Sequence, residues 1–138
     1  MKKPRIFLDC DVILDLLTER EPHFKASLQL FVKVQNKEVM AYTSPVVIAN
    51  IFYILNRHFD RKKSIQSLIK LKSLIKILSC GDKEIELALS SDFKDFEDSI
   101  QYYTALQNGI DTLITRNTKD YKTAKINILT SIEFINSY

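Results

Sequence analysis

The sequence predicts an α/β protein: a three-layer α/β/α sandwich around a central parallel five-stranded sheet. Five short apolar runs of strand length lie at residues 5–8, 39–43, 74–78, 112–115 and 126–129. Segments with helical spacing surround them, at 12–17, 24–36, 45–57, 61–72, 83–90, 96–107 and 131–136. Strands alternating with helices pair in parallel through right-handed crossovers, and the helices then cover both sheet faces. Acidic or amide side chains also recur where apolar runs stop: Asp9 after the first, Glu97 and Asp98 ahead of SIQYYTAL, Asn117 and Asp120 after DTLIT. Open α/β sheets bind ligands beyond the carboxyl ends of their strands, so these groups are expected to meet at one rim. Acids brought that close need a cation.

Along the chain, Arg5 to Leu8 read as a buried strand and Val12 to Leu17 as the helix after it, with Asp9 at the junction. Asp9 or Asp11 is expected to cap that helix by accepting backbone N–H bonds, a contribution of about 1 kcal/mol. Capping does not explain why an acid ends the most buried strand, since burying an unpaired carboxylate is costly. Asp15, one turn on, is either a solvated helix residue or an acid supporting the site. In 24–36 the apolar set Phe24, Leu28, Phe31 and Val32 recurs at three- and four-residue steps, and Ile65, Leu68, Ile69 and Leu71 do the same in 61–72. Asp95 is placed to cap the helix over 96–107, with one stripe of Phe96, Ile100 and Tyr103 and another of Asp98, Tyr102, Ala105 and Leu106. After the strand at 112–115, Asn117 is placed to cap a short helix with Asp120 in a box-like position.

A chain of 138 residues, 46% hydrophobic and 27% charged, is expected to form one domain over 1–138. No apolar run approaches the roughly 20 residues that span a bilayer, and MKKPRIFLD reaches an acid too early for a signal peptide, so the expected location is the cytoplasm, with no membrane partner. Only Gly81 and Gly109 are present, which excludes both the dinucleotide fingerprint and the phosphate-cradling P-loop. Cys10 and Cys80 lack the spacing of a zinc site and read as buried free thiols; His23 and His58 sit in polar surroundings, unpaired, and give a catalytic triad little support.

Net charge is +3, unevenly placed: residues 57–76 carry seven cations against Asp60, and residues 82–98 carry seven acids against Lys83 and Lys94. A basic patch beside an acidic pocket suits a polyanion processed at a metal, although lysines spaced along a helix are also an ordinary solvated face.

Four segments in order, IFLDCDVILDLL, TSPVVIANIFYIL, DFEDSIQYYTAL and LITRNTKDY, resemble the PIN domain over nearly the whole chain. The PIN domain family comprises metal-dependent ribonucleases, among them the toxins of many prokaryotic toxin–antitoxin pairs. The resemblance implies a Rossmann-like sheet, Asp9 and Asp98 as metal ligands, and Asn117 and Asp120 completing the catalytic pocket. Asp11, Asn50, Thr115 and Arg116 would support it or contact substrate. Two positions depart from the pattern. Asn50 stands where most relatives have glutamate, as in a subgroup with asparagine there, and Asp11 stands where asparagine is commoner.

Two carboxylates about 4 Å apart repel by about 4 kcal/mol at an effective dielectric of 20, so Asp9 and Asp98 would need Mg²⁺ or Mn²⁺, or a proton. The implied reaction is hydrolysis of RNA by a metal-activated water oriented by Asp98 or Asp120, leaving 5′-phosphate and 3′-hydroxyl ends. The implied partners are RNA, a small antitoxin protein and a second copy of the chain. Two rival readings stand beside it. LDCDVILD also resembles the haloacid dehalogenase-like phosphatases, with Asp9 and Asp11 as nucleophile and general acid, although no GDxxxD motif follows. The other rival is a PIN module that binds RNA or a protein without turnover, favoured by Asn50.

Overall fold

Strand order determines where a ligand can bind in an open sheet, and the computed structural model, which describes residues 2–121 and 124–138, resolves that order. The strands are β1 (Arg5–Leu8), β2 (Met40–Thr43), β3 (Lys76–Ile77), β4 (Thr112–Ile114) and β5 (Asn127–Leu129). They form one parallel sheet in the order β3-β2-β1-β4-β5, with Phe7 of β1 opposite Tyr42 on one side and Leu113 on the other. Central strands of such sheets are covered on both faces and lose the polar–apolar alternation. Accordingly Ile6, Phe7 and Leu8 are all fully buried, as are Leu113 and Ile114.

Among the described residues there are seven helices, six between strands and the last after β5: α1 (Cys10–Leu17), α2 (Phe24–Gln35), α3 (Pro45–His58), α4 (Arg61–Leu74), α5 (Asp82–Leu89), α6 (Phe96–Gln107) and α7 (Ser131–Ser137). Their starts follow capping chemistry. Ser44 caps α3 ahead of Pro45, Asp60 caps α4, Asp95 caps α6, and Thr130 with Glu133 forms a capping box at α7. α1 packs on α2 and α3, α3 on α4 and α7 on α2, whereas α5 packs on α6. Right-handed crossovers outward from β1 to β3 place α1–α4 on one face, and the return to β4 places α5 and α6 on the other. The three-layer α/β/α arrangement is the one the sequence predicts.

Three details differ from the sequence reading. The strand expected over 74–78 shrinks to Lys76–Ile77, because α4 runs on to Leu74 and this edge strand pairs with β2 alone. On α2 the buried stripe is Ser27, Leu30, Phe31 and Val34, while Leu28 and Val32 are 41% and 45% exposed. The Ser27 hydroxyl donates to the Val12 carbonyl of α1 at 2.9 Å, which fixes that rotation between α1 and α7. Phe96, expected on a buried stripe of α6, is 46% exposed because it opens the first turn at the rim. Among the described residues no helix is long and apolar enough to cross a membrane.

Candidate active site at the carboxyl edge of the sheet

Winding order reverses at β1: the chain steps outward from β1 to β2 and β3 and only then crosses back to β4 on the other side of β1. The crevice beyond the carboxyl ends of β1 and β4 is therefore the expected ligand site. Asp9 follows β1 there. Its backbone N–H continues the ladder by donating to the Ile114 carbonyl at 3.0 Å, and its extended conformation makes it the N-cap of α1. Oδ1 accepts from the Cys10 N–H at 2.7 Å; Oδ2 accepts from the Thr115 hydroxyl at 2.9 Å and from the Tyr121 hydroxyl at 3.3 Å. Asp9 both caps the helix and faces the crevice. Burial, followed by the charge of Asp11, pushes its carboxyl up to about 6 despite those donors.

Asp98 arrives from the first turn of α6, where Asp95 accepts its backbone N–H at 3.0 Å and leaves the Asp98 side chain free of capping duty. It is 9% exposed. Burial, then the charges of Asp9, Asp95 and Asp120, push it up to about 7, while a hydrogen bond from Tyr121 works against the rise. Two acids from residues 89 positions apart in sequence thus share one phenol and one electrostatic field. The phenol has a single proton to donate, so one carboxylate is always under-compensated. Burial and both acids in turn hold the Tyr121 hydroxyl far above its ordinary range.

Tyr121 is the functional residue that the sequence reading passed over. It is the only buried member of the 3-10 turn Thr118–Tyr121, and an aromatic directly after Asp120 in a polar turn was the available signal. Asp120 is exposed, close enough to act on Asp98. Thr115 is fully buried; its hydroxyl donates to Asp9 and accepts the Asn117 N–H at 3.1 Å. Asp11 accepts the Arg116 N–H at 3.1 Å through Oδ2, and burial raises its carboxyl. Its Oδ1 is buried without a hydrogen-bond partner among the described residues.

Arg116 and Asn117 follow Thr115 at the end of β4. Both line a cavity of about 400 Å³ with Asp15, His23 and Ser131. Asn117 caps the following turn through its carbonyl, which accepts the Asp120 N–H at 3.1 Å; no side-chain cap forms among the described residues. Asp15 is not a solvated helix residue. It is 1% exposed and grips Arg116 twice, at 2.9 and 3.2 Å, with Arg20 at 4.0 Å. Losing one partner of a buried ion pair strands the other charge. Arg116→Gln is therefore expected to lower stability by about 2 kcal/mol, less than a fully buried pair because Arg20 stands by. Urea denaturation checks it, and an unchanged midpoint would show that Arg20 suffices.

Asn50 meets the rim from α3: its Nδ2 donates to Glu97 Oε2 at 3.0 Å. Cys10 and Cys80 are free but only partly buried, and the acids Asp9, Asp11 and Glu97 add to burial in pushing Cys10 up to about 12. Cys10 therefore stays a thiol. Remaining donors are carboxylate oxygens, the hard set that suits Mg²⁺ or Mn²⁺, and the partnerless Asp11 oxygen and the under-compensated acids fit a cation. Among the described residues no three His, Cys, Asp or Glu side chains form a closed metal cage.

Known proteins point the same way. The PIN domain family profile matches residues 5–119. Ribonuclease VapC1 of Aquifex aeolicus is 30% identical over 139 residues, covering 97% of this chain and 95% of the relative. Ribonuclease VapC2 of Methanocaldococcus jannaschii is 28% identical, covering 91% and 85%. A toxin–antitoxin complex from Klebsiella pneumoniae has the same fold, with a TM-score of 0.67 at 20% identity over 91% of this chain and 97% of that one. On the profile match and the 30% identity together, this chain belongs to the PIN domain family.

Proposed function

We propose that this chain, acting as one domain, is a metal-dependent endoribonuclease and the toxin of a toxin–antitoxin pair. The observation that carries the reading is the meeting of Asp9 and Asp98 at one buried phenol, at the crevice where strand order reverses. Ribonuclease names on relatives that cover most of the chain support the substrate class, and the toxin–antitoxin neighbour supports a small protein partner.

A divalent cation, Mg²⁺ or Mn²⁺, would supply Lewis acidity to the phosphodiester and make water more acidic. Asp9 and Asp98 are the residues that would hold it. Thr115 and Tyr121 fix the Asp9 oxygen that faces the crevice, which keeps its ionised form in one geometry. Asp120, exposed beside Asp98, orients the attacking water and accepts its proton. Exposed Asn117, in the turn after β4, would meet the RNA backbone, while Arg116 holds that turn through Asp15. Exposed Lys62, Lys63, Lys70 and Lys72 on α4 add the non-specific attraction to phosphate. The phosphatase reading of Asp9 and Asp11 yields to this one, since the chain belongs to another family and Asp11 Oδ2 is occupied by the Arg116 N–H.

Purified protein is expected to cleave a mixed RNA pool with Mg²⁺ or Mn²⁺ and to stop when the cation is chelated. Binding of Mn²⁺ without cleavage of any RNA would favour the non-catalytic module instead.

A further inference from the structure

A second cavity, of about 250 Å³, lies where the loop after α5 turns into α6. The rings of Phe93, Tyr102 and Tyr103 line it, together with exposed Asp92 and Lys125. Tyr102 comes one turn after Asp98, so the two share a face of α6. Phe93 precedes the helix and is held by its backbone, whose N–H donates to the Ser91 hydroxyl at 3.4 Å. That hydroxyl donates in turn to the Ala88 carbonyl in the last turn of α5, at 2.8 Å. The Phe93 ring then meets Tyr102 at 5.2 Å between centroids, Tyr103 at 6.3 Å and Tyr121 at 5.7 Å, the last two edge to face. Tyr121 carries the hydroxyl that donates to Asp9. One phenol therefore links the acid site to the aromatic cavity, its hydroxyl at the first and its ring against the wall of the second.

Core packing accounts for half of this cluster. Tyr102 and Tyr121 are buried, and the Tyr102 hydroxyl accepts the Lys125 backbone N–H at 2.9 Å. Phe93 and Tyr103 are different: both are only half-buried, and both border the open cavity. Single-stranded RNA is read by bases splayed out onto aromatic side chains, with hydrogen bonds to the base edges. Lys125 brings donors and Asp92 acceptors to the same cavity, which suits base edges that offer both. A nucleotide whose phosphate lies at Asp9 and Asp98 has only the breadth of Tyr121 to cross before its base meets Phe93.

We propose that this cavity is a nucleobase subsite: Phe93 and Tyr103 stack the base of a nucleotide next to the scissile bond, and Asp92 and Lys125 contact its edge. The inference rests on the ribonuclease reading above and adds to it the place where base preference arises.

Phe93→Leu and Tyr103→Leu keep an apolar side chain and remove the ring. Wild type is expected to cut a mixed RNA pool with a base preference beside the cut, read by sequencing the product ends. Each variant is expected to flatten that preference by about 10-fold, within the range that stacking one base contributes. A packing role predicts something else. Loss of packing at Phe93 would travel through Tyr121 to Asp9 and cost roughly 10- to 100-fold in Mn²⁺ affinity, whereas loss of a base platform leaves that affinity in place. Calorimetric titration with Mn²⁺ alone separates the two, and Tyr103→Leu is a second variant at the other wall. Ultraviolet crosslinking of wild type to the RNA pool in EDTA, with adducts mapped by mass spectrometry, reports base contact without cleavage; adducts on Phe93 or Tyr103 are expected. No base preference in the wild type, a preference that survives in both leucine variants, or adducts confined to other segments would overturn the subsite. So would a preference lost only together with Mn²⁺ affinity. A wild type that gives the expected adducts and cleaves no RNA would instead leave the cavity as a base-binding site and remove the ribonuclease reading.

Discussion

Asp98→Asn is expected to abolish RNA cleavage, by at least on the order of 10³-fold, while making the metal-free protein more stable at pH 7.5. The two effects have one cause. Asp98 is buried beside Asp9 and within reach of Asp95 and Asp120, and its carboxyl is pushed up to about 7, so its ionised form is penalised in the folded chain. An amide of the same shape removes that penalty, a gain on the order of 2 kcal/mol once the coupling to Asp9 is discounted. It also removes the charge that would hold a cation. A merely structural Asp98 predicts the opposite sign. A carboxylate in the first turn of a helix is ordinarily favoured by the helix dipole, by about 0.3–1 kcal/mol, so its neutralisation would then destabilise α6. The cap of α6 does not confuse the comparison, because Asp95 supplies it through the backbone N–H of residue 98. Chemical denaturation in EDTA and an RNA cleavage assay give both readouts. A variant that is less stable and still cleaves would return Asp98 to the status of an ordinary helix residue.

The fold was legible because its strands are written as buried runs: RIFL and TLI have no alternation to mistake, and each ends at a polar residue that stops the run. The start of α6 was legible for a local reason, since Asp95 satisfies the N–H group three residues on; Asp60 and Thr130 do the same at α4 and α7. What depended on neighbours was not. Leu28 and Ser27 exchange the burial that hydrophobicity assigns them, because a hydrogen bond to α1 sets the rotation of α2. The site divides in the same way. Asp9 and Asp98 announced themselves as acids at the ends of apolar elements, whereas Tyr121 became functional only when the turn after β4 folded its hydroxyl over Asp9. Asp15 shows the limit of reading acids by position. It lies one turn from Asp11 on the same helix, yet it faces Arg116 and serves the packing of that loop.

Stability in EDTA is expected to fall as pH rises from 5 to 7.5, the reverse of a protein held by ordinary paired carboxylates. Both groups start from an ordinary aspartate value of 3.8; Asp9 is raised to about 6 and Asp98 to about 7. Between those limits the folded chain binds protons that the unfolded chain has released, so stability is fully present near the low end and is lost as pH passes through the raised values. The combined effect is on the order of 3 kcal/mol, below the sum of two separate shifts because each acid is raised partly by the other's charge. For a chain of this size that corresponds to about 10 °C in melting temperature. Saturating Mn²⁺ should close the gap by binding the ionised pair, adding about 2.7 kcal/mol at a hundredfold excess over its dissociation constant at pH 7.5 and much less at pH 5, where protons compete. Asp98→Asn should flatten the pH dependence without any metal, which assigns it to this pair of acids. If the wild-type melting temperature in EDTA is equal at the two pH values, or higher at 7.5, the acids are not held together as unrelieved charges, and the electrostatic reason for a cation at this crevice disappears.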